Sequence, residues 1–395
     1  CTSRRTFRKS SCIFRGLRMG VIQSRHATSG AWRVACSGPL SAMPGGDSWA
    51  HFPCLASTSK LSHTKECPCL SSEALNAICP YYTMFPLSFP LRVIGRRRAP
   101  SGWIADPFCG RGTTNLGARL VGSPTYGIDS SPIAVAIALA KMCSTTVDQV
   151  LSSAKRILEA KNDPADVPSG EFWSLMYRPA VLRDICRLRE AFLDDCRSDA
   201  RKVLRAIIMG ALHGPSTKQT PSHLSNQSPR TYAPKPKYAV GYWRERGLRP
   251  PEVNIYDVIR TRAQRYLADC PGPVSGTVVL GDSRRPQDHP DGKVGLVITS
   301  PPYYGMRTYI PDQWLRSWFL GGPAHVDYKP TTRELAHSSP DTFAGDLRSV
   351  WAALATRATS DARLVVRFGG INDRNADPVD LMKESLRESG WRLTT

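Results

Sequence analysis

Long apolar runs are missing from this sequence. No stretch approaches the roughly 18 consecutive apolar residues that a membrane-spanning helix requires. The N-terminus is basic, and it has neither the continuous apolar segment nor the cleavage site of a secretory signal. These absences argue against a membrane partner and against secretion, and they favour a cytoplasmic protein.

Acidic residues are scarce relative to basic ones. The chain of 395 residues has 53 Lys and Arg but only 33 Asp and Glu, which gives a net charge of +20. Such an excess favours a polyanionic partner, because the summed positive field attracts and concentrates polyanions. A basic surface without a nucleic-acid partner is the alternative interpretation of the charge alone.

An ordered pattern of metal-ligating residues is also absent. Seven of the twelve cysteines fall within the first 79 residues without regular spacing, and the others indicate small buried side chains in a reducing compartment. His63, Cys67 and Cys69 lie close together, but one Cys-x-Cys without a second pair is a weak metal motif. We therefore expect no metal site.

The composition and the hydrophobic periodicity change along the chain and predict four regions. Residues 1–70 have no sustained period and almost no acidic residues, so we expect an irregular basic segment, disordered or not native. Residues 71–145 form the first half of an α/β domain, and 146–270 a helical insertion. Residues 271–395 form the second half, whose last strand is cut off by the end of the chain.

Strand and helix patterns alternate after the first region. Trp103–Asp106 and Tyr126–Asp129 read as short buried strands, and Asn115–Leu120 and Ile133–Lys141 read as the helices that follow them. This β-α-β-α order is typical of a doubly wound, mostly parallel sheet with helices on both faces. We therefore predict an α/β fold.

The sheet pattern resumes only late in the chain. Further strands are predicted at 277–280, 294–299 and 363–368. Asp129 and Asp282 therefore lie much farther apart than the about 25 to 40 residues of one crossover unit. The intervening residues show helical periodicity at 147–160, 181–195, 199–212 and 251–269, which predicts a helical insertion within the sheet domain, and 378–389 reads as one more helix after the last of these strands.

Several strand ends carry residues suited to a ligand. Asp106 to Thr114 (Asp-Pro-Phe-Cys-Gly-Arg-Gly-Thr-Thr) is a glycine-rich turn that lets backbone amides approach a ligand. It is not a phosphate loop, because no Lys-Ser or Lys-Thr follows the glycines. Asp129 is placed to accept from a ribose diol or to cap a helix, and Asp282 to accept from an exocyclic amine or to stabilise a turn.

Ser300-Pro301-Pro302-Tyr303 follows the predicted strand at 294–299. The segment combines a hydroxyl, rigid carbonyl groups and an aromatic face, which together suit a flat ring that bears an amino group. Taken alone, the same letters are also typical of a rigid loop of the polyproline kind.

Four of these segments, in this order, resemble the successive motifs of S-adenosylmethionine-dependent amino-methyltransferases that act on DNA. The segments are Asp106–Thr114, Gly127–Asp129, Gly281–Ser283 and Thr299–Tyr303. Residues 81–86 are similar to the segment that closes over the methionine end of the cofactor in that family. The resemblance implies a Rossmann-like methyltransferase sheet, S-adenosylmethionine as cofactor, DNA as partner, a nucleoid-associated location and, as a further partner, a cognate restriction endonuclease.

The resemblance also implies roles for individual residues. It assigns the methionine and ribose ends of the cofactor to the glycine turn and Asp129, the adenine to Asp282, and the target amine to the segment that begins at Ser300. Ser at this position goes with cytosine-N4 methylation in the family, where adenine-N6 enzymes mostly carry Asp or Asn. The predicted cofactor residues are Thr83, Phe85, Asp106, Pro107, Phe108, Cys109, Gly110, Gly112, Thr113, Asp129 and Asp282, and the catalytic residues are Ser300, Pro301, Pro302 and Tyr303.

The insertion is the candidate target-recognition region. Its stretch at 229–246 interleaves cations with aromatic residues, a mixture suited to phosphate contact and base stacking, or else forms a solvated loop. Arg316 is expected to face the same groove, and Arg111 to crowd the glycine turn or to add a charge that attracts phosphate. The predicted nucleic-acid contacts are Arg230, Tyr232, Lys235, Lys237, Arg244 and Arg307.

Three other functions stay open from the sequence. They are adenine-N6 methylation of DNA, amino-methylation of a tRNA base, and DNA binding by a catalytically silent relative. Neither an oligomeric state nor a recognition sequence is indicated.

Overall fold

The computed structural model describes residues 18–24, 69–81, 85–95, 101–160, 163–214, 223–228, 233–306, 312–327, 334–370 and 376–394. The strands in this part of the chain are β1 Arg18–Ser24, β2 Trp103–Asp106, β3 Thr125–Asp129, β4 Gly276–Leu280, β5 Val294–Thr299, β6 Ala358–Phe368 and β7 Trp391–Thr394. They form one sheet at the centre of the molecule, in the order β4-β3-β2-β5-β6-β1-β7.

Strands β2 to β6 are parallel, and their order reverses between β2 and β5. β3 and then β4 lie on one side of β2, whereas β5 and then β6 lie on the other. The carboxyl ends of all five strands therefore meet at one edge of the sheet. In doubly wound sheets the point of reversal opens a crevice where ligands bind.

One strand, β1, lies within the segment 1–70 that the sequence predicts to be irregular. β1 pairs antiparallel with both β6 and β7, and so it lies between them in the sheet. Its sequence has few apolar residues and only a weak strand pattern. The strand is therefore formed through its pairing with the two neighbouring strands. The other described part of that segment is its last two residues, which begin a helix at Cys69.

Helices cover both faces of the sheet. Those expected from periodicity are α3 Thr113–Leu120, α4 Pro132–Met142, α5 Val147–Leu158, α7 Pro179–Asp194, α8 Asp199–Ala211, α10 Ile255–Leu267 and α13 Pro378–Leu386. The remaining helices were not predicted and are α1 Cys69–Asn76, α2 Ser88–Gly95, α6 Glu171–Met176, α9 Pro236–Glu245, α11 Trp314–Phe319 and α12 Pro340–Ala355. Several of these are short, so their stability comes from tertiary packing rather than from their own periodicity. None of the described helices is long and apolar enough to cross a membrane.

Alternate residues of the central strands belong to opposite layers. Ile104 and Leu296 pack in a core with α2, whereas Ala105 and Val297 pack in a core with α12 and α13. Side chains of a strand alternate between its faces, so continuous apolar strands are buried from both sides. This is the α/β architecture that the sequence predicts, mostly parallel with helices on both faces.

Helices α5 to α10 lie between α4 and β4 in the chain, where the sequence predicts an insertion. They do not form a separate core. Ile137 and Ala140 of α4 share one apolar cluster with Val150 of α5, Ile207 of α8 and Ile259 of α10. The inserted helices therefore extend the helical layer on one side of the sheet.

Arg119, near the end of α3, joins this insertion to the sheet domain. Its guanidinium donates to the carbonyls of Lys141 at 2.5 Å and Cys143 at 2.8 Å, where α4 ends. It also donates to the carbonyls of Pro271 at 2.5 Å and Gly272 at 2.9 Å, in the segment that leads from α10 into β4. The side chain is 2% exposed, so these charge-assisted bonds are shielded from water.

We predict that Arg119→Lys lowers the free energy of unfolding by roughly 3 kcal/mol, because an ammonium cannot reach all four carbonyls and leaves buried acceptors unpaired. Urea unfolding followed by circular dichroism measures the change. Arg156→Lys, on the exposed side of α5, is the matched control, with a change of about 0.5 kcal/mol or less. Equal stability of the two variants would contradict the role given to Arg119.

Candidate active site at the carboxyl edge of the sheet

Two hydrogen bonds join β5 to β2 and to α3 at the crevice. The hydroxyl of Thr299 donates to Asp106 Oδ1 at 2.6 Å, and the hydroxyl of Thr114, in the first turn of α3, donates to the carbonyl of Ile298 at 3.0 Å. Thr299 and Asp106 are both almost fully buried. The glycine turn after β2 and the segment after β5 are therefore tied together where they leave the sheet.

The glycine turn is shaped by its own backbone. Asp106 Oδ1 accepts from the amide of Phe108 at 3.1 Å, and Gly112 begins α3 with φ of 74°. A Cβ on Gly112 would lie 2.7 Å from that of Ala138, so packing against α4 requires glycine. Gly110 has φ of 50°, but a Cβ there would meet nothing within 4 Å, so the turn is open to a ligand at that point.

Asp129, at the end of β3, accepts from two backbone amides. Gly110 N donates to Oδ2 at 2.8 Å, and Ser131 N donates to Oδ1 at 2.9 Å. Burial raises the pKa of this carboxyl, and the amide bonds oppose the rise. The helix cap is Ser131, whose hydroxyl accepts from the amide of Ala134, so the alternative that Asp129 caps α4 is wrong. A carboxylate has about four acceptor sites, so Asp129 keeps acceptor capacity for a ligand beside its backbone amide bonds.

The segment upstream of β2 reaches the same place. Burial, followed by the nearby Asp129 carboxylate, raises the pKa of the Tyr81 phenol, and a hydrogen bond with Ser131 opposes the rise. Phe85 is turned into the core instead, where its ring lies 5.0 Å from that of Phe89. Thr83 lies outside the described residues.

Asp282, after β4, is held by an arginine. Arg284 donates to both carboxylate oxygens, with distances of 2.8 to 3.2 Å, and also to Asp346 of α12 at 3.0 Å. Burial raises the pKa of Asp282, but the bonds from Arg284 outweigh it and lower the pKa overall. Asp282 Oδ1 also accepts from the backbone amide of Arg284, so the expectation of a turn aspartate is confirmed. Its contact with adenine stays a prediction, one that requires Arg284 to release the carboxylate.

The Ser300–Tyr303 segment lies across the crevice from the glycine turn. Pro301 is buried, whereas Ser300 and Tyr303 are partly exposed. Within the described residues, no hydrogen bond engages the Ser300 hydroxyl. The Tyr303 ring stands edge-on to Phe368, at the end of β6, with centroids 5.7 Å apart. A Cβ on Gly369 would lie 3.3 Å from the Tyr303 ring, so glycine leaves room for it.

His337 supports the segment that follows, and the sequence offered no local signal for it. The amide of Gly305 donates to His337 Nδ1 at 3.1 Å, and the imidazole lies among the rings of Tyr304 and Phe343. This contact joins the loop before α12 to the residues just beyond Tyr303. The sequence did indicate Thr299, because it directly precedes Ser300. Its hydrogen bond to Asp106 could not be predicted, because it depends on β2 and β5 being neighbours in the sheet.

Two arginines depart from expectation. Arg111 is 7% exposed, and after burial itself it is the main cause that lowers the pKa of the buried Lys141, so its charge points inward rather than toward a phosphate. Arg316 is 1% exposed, and it donates to the carbonyls of Pro80 at 2.6 Å and Met209 at 3.2 Å. The expectation that Arg316 faces a nucleic-acid groove is therefore wrong.

The predicted nucleic-acid contacts fall into two groups. Lys235, Lys237 and Arg244 are exposed on or beside α9, and Arg244 pairs with Glu171 of α6. Arg230, Tyr232 and Arg307 lie outside the described residues, as do His63 and Cys67 of the weak metal motif.

Comparisons with known proteins give a distant structural likeness. No family model matches the sequence, and no curated protein matches it. Two solved structures of the rRNA methyltransferase aviRa from Streptomyces viridochromogenes resemble the chain at 12% and 14% identity. They cover 75% and 78% of this chain and 81% and 84% of theirs, with TM-scores of 0.27 and 0.26. A likeness this weak carries no argument about what the chain does.

The raised pKa of the Asp106 carboxyl leads us to predict that the stability of the protein depends on pH. Burial raises its pKa to about 6, against the hydrogen bonds from Thr299, Thr114 and Phe108. The folded state therefore holds this proton more tightly than the unfolded state. The stabilisation is fully present below about pH 4 and is lost as the pH rises through 6.

We expect the free energy of unfolding of the wild type, relative to Asp106→Asn, to fall by on the order of 2 to 3 kcal/mol between pH 4 and pH 7.5. Asn keeps the Oδ1 acceptor but does not titrate. Urea unfolding at the two pH values measures the difference, with Asp148→Asn on the exposed side of α5 as control. A parallel pH dependence of wild type and Asp106→Asn would show that this carboxyl does not titrate as described.

Proposed function

We propose that this chain transfers a methyl group from S-adenosylmethionine to the exocyclic amine of a base in DNA, with cytosine N4 as the preferred target. One observation carries the proposal. The bond between Thr299 and Asp106 brings the open glycine turn and Asp129 to the same crevice as Ser300–Tyr303. Two substrates, a methyl donor and an amine, then have adjoining places at one edge of the sheet.

The residues around the turn fit the methionine and ribose parts of the cofactor. Gly110 leaves open space above the backbone, and Asp129 offers two oxygens to a pair of hydroxyls. When bound, S-adenosylmethionine supplies an electrophilic methyl group on a sulfonium. Asp129 orients the ribose end, and Tyr81 lies beside this carboxylate and limits its contact with water.

Ser300 and Pro301 act on the amine. The nitrogen of an amino base is a poor nucleophile, because its lone pair is delocalised into the ring. Acceptance of its N–H bonds by the Ser300 hydroxyl and the Pro301 carbonyl draws the nitrogen toward tetrahedral geometry and localises the lone pair. The buried position of Pro301 fixes the direction of these acceptors, so positioning and local electrostatics provide the catalysis.

Tyr303 holds the base itself. The ring is braced edge-on by Phe368 and remains partly exposed, so it can stack on a planar base. A base within a duplex must first be swung out of the stack to reach such a ring. The excess of positive charge supports a nucleic-acid substrate, and a cognate restriction endonuclease is the further partner that we propose.

We expect Asp129→Asn to raise the Kd for S-adenosylmethionine about tenfold or more, because the amide nitrogen of Asn must face a backbone N–H that the carboxylate now accepts. Isothermal titration calorimetry measures the affinity, and Asp148→Asn is the exposed control. An unchanged Kd for Asp129→Asn would remove this residue from the cofactor site.

Ser300→Ala and Tyr303→Ala are expected to lower methyl transfer at least 100-fold while the Kd for S-adenosylmethionine changes less than twofold. Tritiated cofactor is incubated with unmethylated DNA or with tRNA, and the labelled nucleoside is identified after digestion. Ser349→Ala, on the exposed side of α12, is the control for Ser300→Ala.

The outcomes separate the alternatives. Label as N4-methylcytosine in DNA supports the proposal, whereas N6-methyladenine excludes the cytosine preference and label in RNA alone excludes a DNA substrate. If both variants remain fully active, the site assignment is wrong. Absence of cofactor binding by the wild type would favour a silent relative.

A further inference from the structure

A column of flat groups runs along the solvent side of α9. Tyr238 and Tyr242 are stacked with centroids 6.2 Å apart and planes 25° apart, and the Arg246 guanidinium lies 4.1 Å over the Tyr242 ring. Residues four apart lie on one face of a helix, so the three side chains form a continuous ladder. We call this the α9 column.

Tyr242 of the α9 column is half-buried and packs against the edge of the helical core, whereas Tyr238 lies outside that core. The opposite side of the helix is buried through Ala239 and Trp243, and the Trp243 indole donates to the carbonyl of Gln227 at 2.8 Å and packs against Phe172. Tyr238, in contrast, is 57% exposed. The helix is therefore anchored by one face and presents aromatic area to solvent on the other.

The charge around the α9 column is positive. Lys235, Lys237 and Arg249 are exposed, and no ion pair joins any of them to another described residue. The other two basic side chains are neutralised, since Arg244 pairs with Glu171 and Arg246 pairs with a neighbouring glutamate. These three cations precede or follow the column in the chain, and together with the exposed Tyr238 ring they suit a polyanion that also offers flat apolar faces.

The α9 column is linked to the candidate active site through the chain. The indole of Trp314 donates to the carbonyl of Pro234 at 3.1 Å, just before α9 begins. Trp314 starts α11, the first described helix after Ser300–Tyr303. The N-terminal end of α9 therefore adjoins α11, which follows Ser300–Tyr303 in the chain.

We infer that the α9 column is a stacking surface for unpaired bases of the nucleic-acid substrate, with Lys235, Lys237 and Arg249 in contact with the phosphates. Stacking needs bases whose faces are open, which a duplex hides, and every base offers such a face. An acidic peptide would satisfy the cations but leave the rings without a role. This inference rests on the proposed function and deepens it, because it identifies unpaired strand as the part of the nucleic-acid substrate that this surface holds.

The test measures binding by fluorescence anisotropy with a fluorescein-labelled oligonucleotide at one fixed salt concentration. Three probes of the same sequence are used: single-stranded DNA, single-stranded RNA and duplex DNA. We expect Tyr238→Ala and Tyr242→Ala each to raise the Kd for the single strands about tenfold, with a clearly smaller effect on the duplex. Tyr238→Phe should bind as the wild type, since phenylalanine keeps the stacking face.

The chain offers a matched control on α10. Tyr256 and Arg260 form a tyrosine–arginine pair of the same four-residue spacing, with the guanidinium 5.0 Å from the ring centroid, but no second stacked tyrosine. Tyr256→Ala should leave the Kd for every probe unchanged. If it weakens binding as much as Tyr242→Ala, the effect is not specific to the α9 column and the inference fails.

Three further results would overturn the inference. Tyr238→Ala and Tyr242→Ala could both bind single strands as tightly as the wild type does, or they could lose as much affinity for the duplex as for the single strands. Polyglutamate could also compete with the labelled probe as strongly as the unlabelled strand does. Binding is measured without cofactor, so it is independent of methyl transfer. If binding depends on Tyr238 and Tyr242 but no methyl group is transferred, only the proposed activity is contradicted. If methyl groups are transferred but binding does not depend on these tyrosines, only the inference is contradicted.

Discussion

The bond between the Thr299 hydroxyl and the Asp106 carboxylate joins the ends of β5 and β2 at the crevice of the sheet. These residues end strands that are adjacent in the sheet but far apart in the chain. The bond lies in the core, where water does not compete with it and where a lost partner leaves a buried polar group unpaired. The glycine turn begins at Asp106 and the Ser300–Tyr303 segment follows Thr299, so both leave the sheet at this bond.

A second junction fixes the insertion to the same frame. Arg119 brings together the ends of α3 and α4 and the segment that returns to β4, while the inserted helices share their apolar core with α4. The α9 column therefore does not lie on a detached module. Its helix is held by Trp243, which donates to the carbonyl of Gln227, and the segment just before it is held by Trp314 of α11.

The order of strands and helices could largely be predicted from the sequence, because continuous apolar strands and amphipathic helices leave a periodic signal. Strand β1 could not, since its place between β6 and β7 is created by long-range pairing. Helix α12 could not be predicted either, because its position depends on packing against the sheet face that it covers. The prediction that Arg316 faces a groove was wrong, because the carbonyls to which it donates come from segments far away in the chain.

By itself the sequence determined which chemical groups end the parallel strands: a glycine turn, the carboxylates Asp129 and Asp282, and the Ser-Pro-Pro-Tyr segment. It did so because strand ends and turns are local, and their residue types report local backbone needs. Only the tertiary structure decided which groups are available. Asp129 keeps acceptor capacity while Asp282 is held by Arg284, and Arg111 turns inward, since partners and burial depend on neighbours that the chain order does not reveal.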